Sequence, residues 1–113
     1  MMDTAERVDY YVRLKNAIEC IKEERARQDR KWGPDRSHPN GTGSPGTKDV
    51  ADIARMECDN AFRGGWGTWR HILEEEVKEA FAEENPEALA AELIQVAAVC
   101  VAWIQDITRE SHQ

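Results

Sequence analysis

The stretch from Ala88 to Ile104, ALAAELIQVAAVCVAWI, is broken only by Glu92 and Gln95. Wound as a helix, it is apolar on nearly every side, and such a helix is buried on every side. A chain of 113 residues cannot cover it alone. A second subunit packed against it is therefore expected, making a homo-oligomer, dimer or tetramer. The run falls short of the roughly 20 residues that a bilayer requires, so no membrane span is expected. The opening MMDTAERVDYY has neither a basic nor an apolar region of the kind that directs secretion, which fits a cytoplasmic protein.

The rest of the chain carries helical spacing and no alternating strand pattern. One all-α domain over residues 1–113 is expected, a four-helix bundle. The first helix is predicted from about Thr4 to Gln28, with Val8, Tyr11, Leu14, Ile18 and Ile21 as its buried stripe and Asp3 near its cap. Residues 29–46, DRKWGPDRSHPNGTGSPG, read as a long polar loop, and loops of that length in a small domain are functional or disordered. A second helix is predicted from about Thr47 to Arg63, stopped by Gly64-Gly65-Trp66-Gly67. Thr68 caps a third, running to about Glu84. Asn85 caps a fourth, with Pro86 at its first position, running to about Thr108.

A net charge of -7 argues against binding to a nucleic-acid polymer, whose phosphates attract Lys and Arg patches. An acidic protein binds phosphates when divalent cations lie between the two. Cys20, Cys58 and Cys100 are odd in number, far apart and without CxxC spacing. They read as free thiols filling small core positions, neither a disulfide framework nor a zinc site.

The acids of the third and fourth helices are the chemical signal. Glu76 and Glu79 are three apart and share a face, as do Glu92 and Gln95. Glu76 shares its side with Ile72, Leu73 and Ala80, and Glu92 lies among Leu89, Leu93 and Val96. Carboxylates on apolar faces are costly unless paired or bound to a cation. A short connection makes the two helices antiparallel neighbours, so the acidic faces can converge on a hard cation such as Mg²⁺. Glu74, Glu83, Glu84 and Glu87 read instead as a solvated face.

These residues carry a resemblance. Glu75-Glu76-Val77-Lys78-Glu79 resembles the EExxE motif of the all-α NTP pyrophosphatase superfamily, which includes MazG and the dUTPase- and dCTPase-like enzymes. Glu92-Leu93-Ile94-Gln95 resembles its ExxD motif. The surrounding text, WRHILEEEVKEA and ALAAELIQVAAVCVAWI, is similar to small MazG-like proteins common in phages and actinobacteria, over about Glu24 to Ile107. The resemblance implies an oligomeric MazG-like bundle that hydrolyses a nucleoside triphosphate to the monophosphate and pyrophosphate. It implies Mg²⁺, or Mn²⁺, held by Glu76, Glu79 and Glu92. Glu75 would lie just outside these ligands or help position the attacking water. Gln95 stands where the family usually has Asp. Its carbonyl can ligate Mg²⁺ but adds no charge, so weaker metal binding, or one metal in place of two, is expected.

Other features leave choices open. Trp32 and His38 sit in the polar loop; a similar Trp and His lie near the nucleobase in dCTPase-like relatives. Trp32 either stacks on a base or anchors the loop to the core. His38 has no second His or Cys at ligand spacing and reads as loop chemistry or a base contact. Arg55, Asp59 and Arg63 lie on one side of the second helix, facing substrate or forming a solvated stripe. Trp69 and Trp103 read as core or interface anchors. GTGSPGTK, Gly41–Lys48, lacks the preceding strand and the Lys-Ser/Thr order of a phosphate-binding loop. Two alternatives to an enzyme remain: a catalytically weak nucleotide-sequestering protein on the same scaffold, and a helical interaction protein whose acids are merely surface.

Overall fold

The computed structural model describes residues 1–110, which form four helices and no strand. These are α1 (Thr4–Trp32), α2 (Thr47–Arg63), α3 (Trp69–Ala82) and α4 (Pro86–Glu110). The all-α expectation holds. The chain folds as two compact units: one contains Met1–Pro39 and the segment from Val101 onward, the other Asn40–Cys100. Helix α4 contributes to both.

In the first unit, Asp3 caps α1 by accepting from the backbone N–H of Glu6 at 2.8 Å. The helix runs past the predicted end at Gln28, so the loop begins at Gly33 and Trp32 lies in the last helical turn. Polarity there is no break signal, because the charges pair along the helix. Arg27 meets Glu24, and Arg25 meets Asp29 at 2.9 Å. Gly33 ends it with a φ of 88°, its N–H donating to the Asp29 carbonyl. Lys31 stands over the Trp32 ring. The buried contacts of this unit are polar as well as apolar. Arg13 donates to Asp9 and, at 2.7 Å, to the Gln105 carbonyl, while the Gln105 amide donates to the Tyr10 carbonyl. Ala17 is buried beside them along α1.

The predicted apolar stripe of α1 is not buried within one chain. Val8 and Tyr11 are about 60% exposed, and Ile18 and Ile21 also face outward. Among the described residues, the buried positions of this unit are Arg13, Ala17 and Gln105.

In the second unit α2 and α3 are the closely packed pair. Their approach depends on small side chains: Ala51, Cys58 and Ala61 on α2 and Ala80 on α3 are buried, with Leu89 from α4. The turn between them follows its glycines. The N–H groups of Gly64, Gly65 and Trp66 donate to the carbonyls of Asn60, Phe62 and Ala61. A side chain at Gly67 would collide with the Phe62 ring. Thr68 then caps α3 with a reciprocal partner: its hydroxyl accepts from the His71 N–H, and its own N–H donates to His71 Nδ1.

The end of the polar loop is fixed to this unit. Gly43 N–H donates to the Phe81 carbonyl at 2.8 Å, and Thr42 Oγ1 donates to the Glu83 carbonyl at 2.6 Å. Those carbonyls at the C-terminal end of α3 would otherwise lack partners. Gly43 has a φ of 77°, and a Cβ there would run into the Glu84 side chain. The glycines of GTGSPG thus serve a cap and a tight turn. Asn85 caps α4, its Oδ1 accepting from the N–H groups of Glu87 and Ala88.

As the length of the chain predicts, a single copy does not cover α4 on every side: Leu93, Ile94, Ile104 and Ile107 remain exposed. The same holds for Val50, Ile53 and Phe62 of α2. The helix is also longer than the apolar run that announces it. Over Pro86–Arg109, 24 residues, it is long and apolar enough to cross a membrane by length and composition. The shortness argued from Ala88–Ile104 therefore does not exclude a span. One such helix is weak evidence of a membrane, because core helices of soluble proteins pass the same test.

Candidate metal centre

The carboxylates of Glu76 and Glu79 on α3 and Glu92 on α4 converge, with one oxygen from each lying within 4.8 Å of the others. Their geometry follows from the elements that carry them. Glu76 and Glu79 occupy successive turns of one helical face. The short Glu83–Asn85 connection turns the chain back, and Glu92 comes to meet them. All three side chains are half-buried. Glu76 Oε2 and Glu92 Oε2 are fully buried and have no hydrogen-bond partner. A buried carboxylate oxygen without a partner is an unusual feature in a folded protein, and an unplaced ion is one standard cause.

Electrostatics point the same way. Like charges about 5 Å apart repel by roughly 3 kcal/mol at an effective dielectric near 20. Burial, then the charges of Glu79, Glu75 and Glu92, push the Glu76 carboxyl above its ordinary range. Burial likewise raises Glu75; the hydrogen bond from Cys58 opposes that rise, and the charges of Glu79 and Asp59 add to it. A hard divalent cation suits three carboxylate oxygens and removes this repulsion. The residues therefore fit the group that the motifs imply.

Glu75 lies beside the three, not among them. It accepts a hydrogen bond from the Cys58 thiol and stands 3.8 Å from Arg55 Nε. Burial and the neighbouring Glu75 push the Cys58 thiol up to about 11, so it stays protonated and remains a donor. Arg55 Nη2 donates to Glu79 Oε1 at 3.1 Å. Arg55 is thus paired with a carboxylate of the cluster while its own side chain stays about half exposed. Asp59 is exposed but close enough for its charge to raise both Cys58 and Glu75. Gln95 lies one turn beyond Glu92 and is exposed. Trp32, about 60% exposed, and His38 belong to the first unit. The carboxylate cluster is built entirely within the second, and neither residue is part of it.

Sequence reasoning named Arg55 as a candidate but missed the contacts that Cys58 and Arg55 make with the acids of α3. Both depend on which face of α2 meets α3. The only sequence signal for that register was the small residues Ala51, Cys58 and Ala61 at near-helical spacing. Among the acids read as solvated, Glu74 pairs with Arg70 at 3.0 Å on the outer side of α3. Comparison of the chain with protein-family models, with curated proteins and with solved structures gives no match, so the residues above carry the functional argument.

Proposed function

We propose that this chain is a MazG-like, Mg²⁺- or Mn²⁺-dependent pyrophosphohydrolase that converts a nucleoside triphosphate to the monophosphate and pyrophosphate. The observation that carries the reading is the convergence of Glu76, Glu79 and Glu92 with two buried, unpartnered carboxylate oxygens. A surface charge run would leave those oxygens in water, which disfavours the reading of the acids as mere surface. The EExxE-like and ExxD-like motifs supply the choice of reaction.

Glu76, Glu79 and Glu92 hold the cation in this reading. When bound, it polarises the phosphates and lowers the pKa of water. Glu75 is a carboxylate outside the ligand set whose proton affinity is raised. It takes the proton of the water that cleaves the α–β phosphoanhydride, and Cys58 fixes its orientation. Gln95 offers a neutral carbonyl at the margin, so the site works with three charged ligands.

The exposed apolar side chains of α1, α2 and α4 support a homo-oligomer. Val8, Tyr11, Ile53, Leu93 and Ile94 are each about half exposed or more in one chain. A partner copy covering them also accounts for the apolar length of α4 without a membrane, since Glu92 on that helix turns its carboxylate into protein.

Metal binding tests the site directly. Mg²⁺ or Mn²⁺ should raise the melting temperature of the wild type and leave Glu92→Gln unchanged. Equal stabilisation of both proteins by the metal would remove the site.

A further inference from the structure

Arg55 is the cation that the cluster already holds. Its Nη2 and Nε lie 3.1 and 3.4 Å from Glu79 Oε1, and Nε lies 3.8 Å from Glu75 Oε1. Asp52, one turn earlier on α2, stands 3.7 Å from Nη1 on the same guanidinium. The side chain is about half exposed, whereas that of Glu79 is 21% exposed. Arg55 therefore reaches in from solvent to a carboxylate that belongs to the half-buried cluster. Glu76 and Glu92 show the contrast, since each keeps one buried oxygen without a partner. Of the three converging acids, Glu79 is the one a guanidinium neutralises.

Two cations on one carboxylate repel each other, so each weakens the hold of the other. A guanidinium donates along the lone-pair directions that a hard metal ion also uses. The Arg55 pair is exposed at its arginine end, so it is weak enough to yield. We propose that Arg55 is a built-in competitor for the divalent cation: it holds Glu79 while the cluster is empty and gives it up when the cation binds. The proposal rests on the metal-site reading above and adds a regulation of that site. Cation affinity is set below what three free carboxylates would give, and Asp52 offers the released guanidinium a neighbouring anion. A residue that merely oriented Glu79 as a ligand would have the opposite effect, because its removal would weaken the metal.

The test is calorimetric titration of Mn²⁺ into the wild type, Arg55→Ala and Glu79→Ala at neutral pH, without nucleotide. Arg55→Ala should bind Mn²⁺ about twofold to fivefold more tightly than the wild type, the range set by an exposed ion pair. Glu79→Ala should lose the binding. Unchanged or weaker affinity in Arg55→Ala, with binding in the wild type and loss in Glu79→Ala, overturns the competitor role and leaves the metal site standing. No uptake by the wild type overturns both. If Arg55→Ala loses helicity by circular dichroism, Arg55→Gln is titrated under the same criterion, since it keeps an amide donor without the charge.

Discussion

The thiol of Cys58, on α2, donates its hydrogen bond to the carboxylate of Glu75, on α3. This contact links the closely packed helix pair to the acidic cluster; burial raises both groups most, and the contact adds to the rise of Cys58 while opposing that of Glu75. The thiol is buried and held near 11, while Cys20 on α1 is exposed.

Thiol reactivity follows from that difference, because the thiolate is the nucleophile. With a disulfide reagent at pH 7.5, Cys20 should label first and Cys58 last, with full labelling only on unfolding. Peptide mapping of the labelled protein checks the order; Cys58 labelling as fast as Cys20 would contradict the contact.

Glu76→Gln should separate stability from metal binding. The folded state holds Glu75 and Glu76 above the ordinary carboxylate range. A raised folded value means the folded state binds the proton more tightly than the unfolded chain does. That contribution to stability is complete below the ordinary range and is lost as pH rises through the raised values. Metal-free wild type should therefore lose stability over that interval, and Glu76→Gln should lose less. At pH 7 without metal the variant should melt a few degrees higher, a shift that corresponds to under about 1 kcal/mol in a domain of this size. With Mg²⁺ the order should reverse. Melting curves across pH with and without Mg²⁺ measure both effects.

Gln95→Asp adds a charge one turn beyond Glu92. A fourth anionic ligand in good geometry should tighten Mg²⁺ by up to about tenfold, or ~1.4 kcal/mol. If Gln95 instead donates its amide to substrate, the variant should bind nucleotide more weakly with no gain in metal affinity. Separate titrations of metal and nucleotide distinguish the two.

Much of this architecture is legible in the sequence because helix boundaries are local chemistry. Thr68, Asn85-Pro86 and the Gly64–Gly67 run announce caps and stops that the structure contains. The end of α1 is not legible, because Asp29, Arg30 and Lys31 interrupt the apolar spacing before Trp32. Pairing of Arg25 with Asp29 sustains the helix there, and Gly33 marks the true stop. At the site, the facing of Glu76 and Glu79 follows from a three-residue spacing, and the approach of Glu92 from a short connection. The ties from α2 were not legible, because Arg55 and Cys58 reach α3 through packing between elements 17 to 24 residues apart in sequence. Nor does an apolar stripe say what covers it. Val8 and Tyr11 belong to such a stripe and remain about 60% exposed in a single chain.

The proposed homo-oligomer would cover them and should appear as assembly. Light scattering at micromolar concentration should give a dimer or tetramer, and replacing Val8 and Tyr11 with Glu should shift the distribution toward smaller species if α1 contributes to the interface. A monomer with native helicity in the wild type would contradict the homo-oligomer.

The most direct measurement is product analysis. A panel of NTPs and dNTPs is incubated with Mg²⁺ or Mn²⁺, and products from the wild type and Glu79→Ala are resolved as monophosphate with pyrophosphate or as diphosphate with phosphate. The account predicts monophosphate and pyrophosphate from at least one nucleotide, only with metal, and none from Glu79→Ala. Wild-type turnover retained by Glu79→Ala, or no metal-dependent product from any nucleotide, would contradict it.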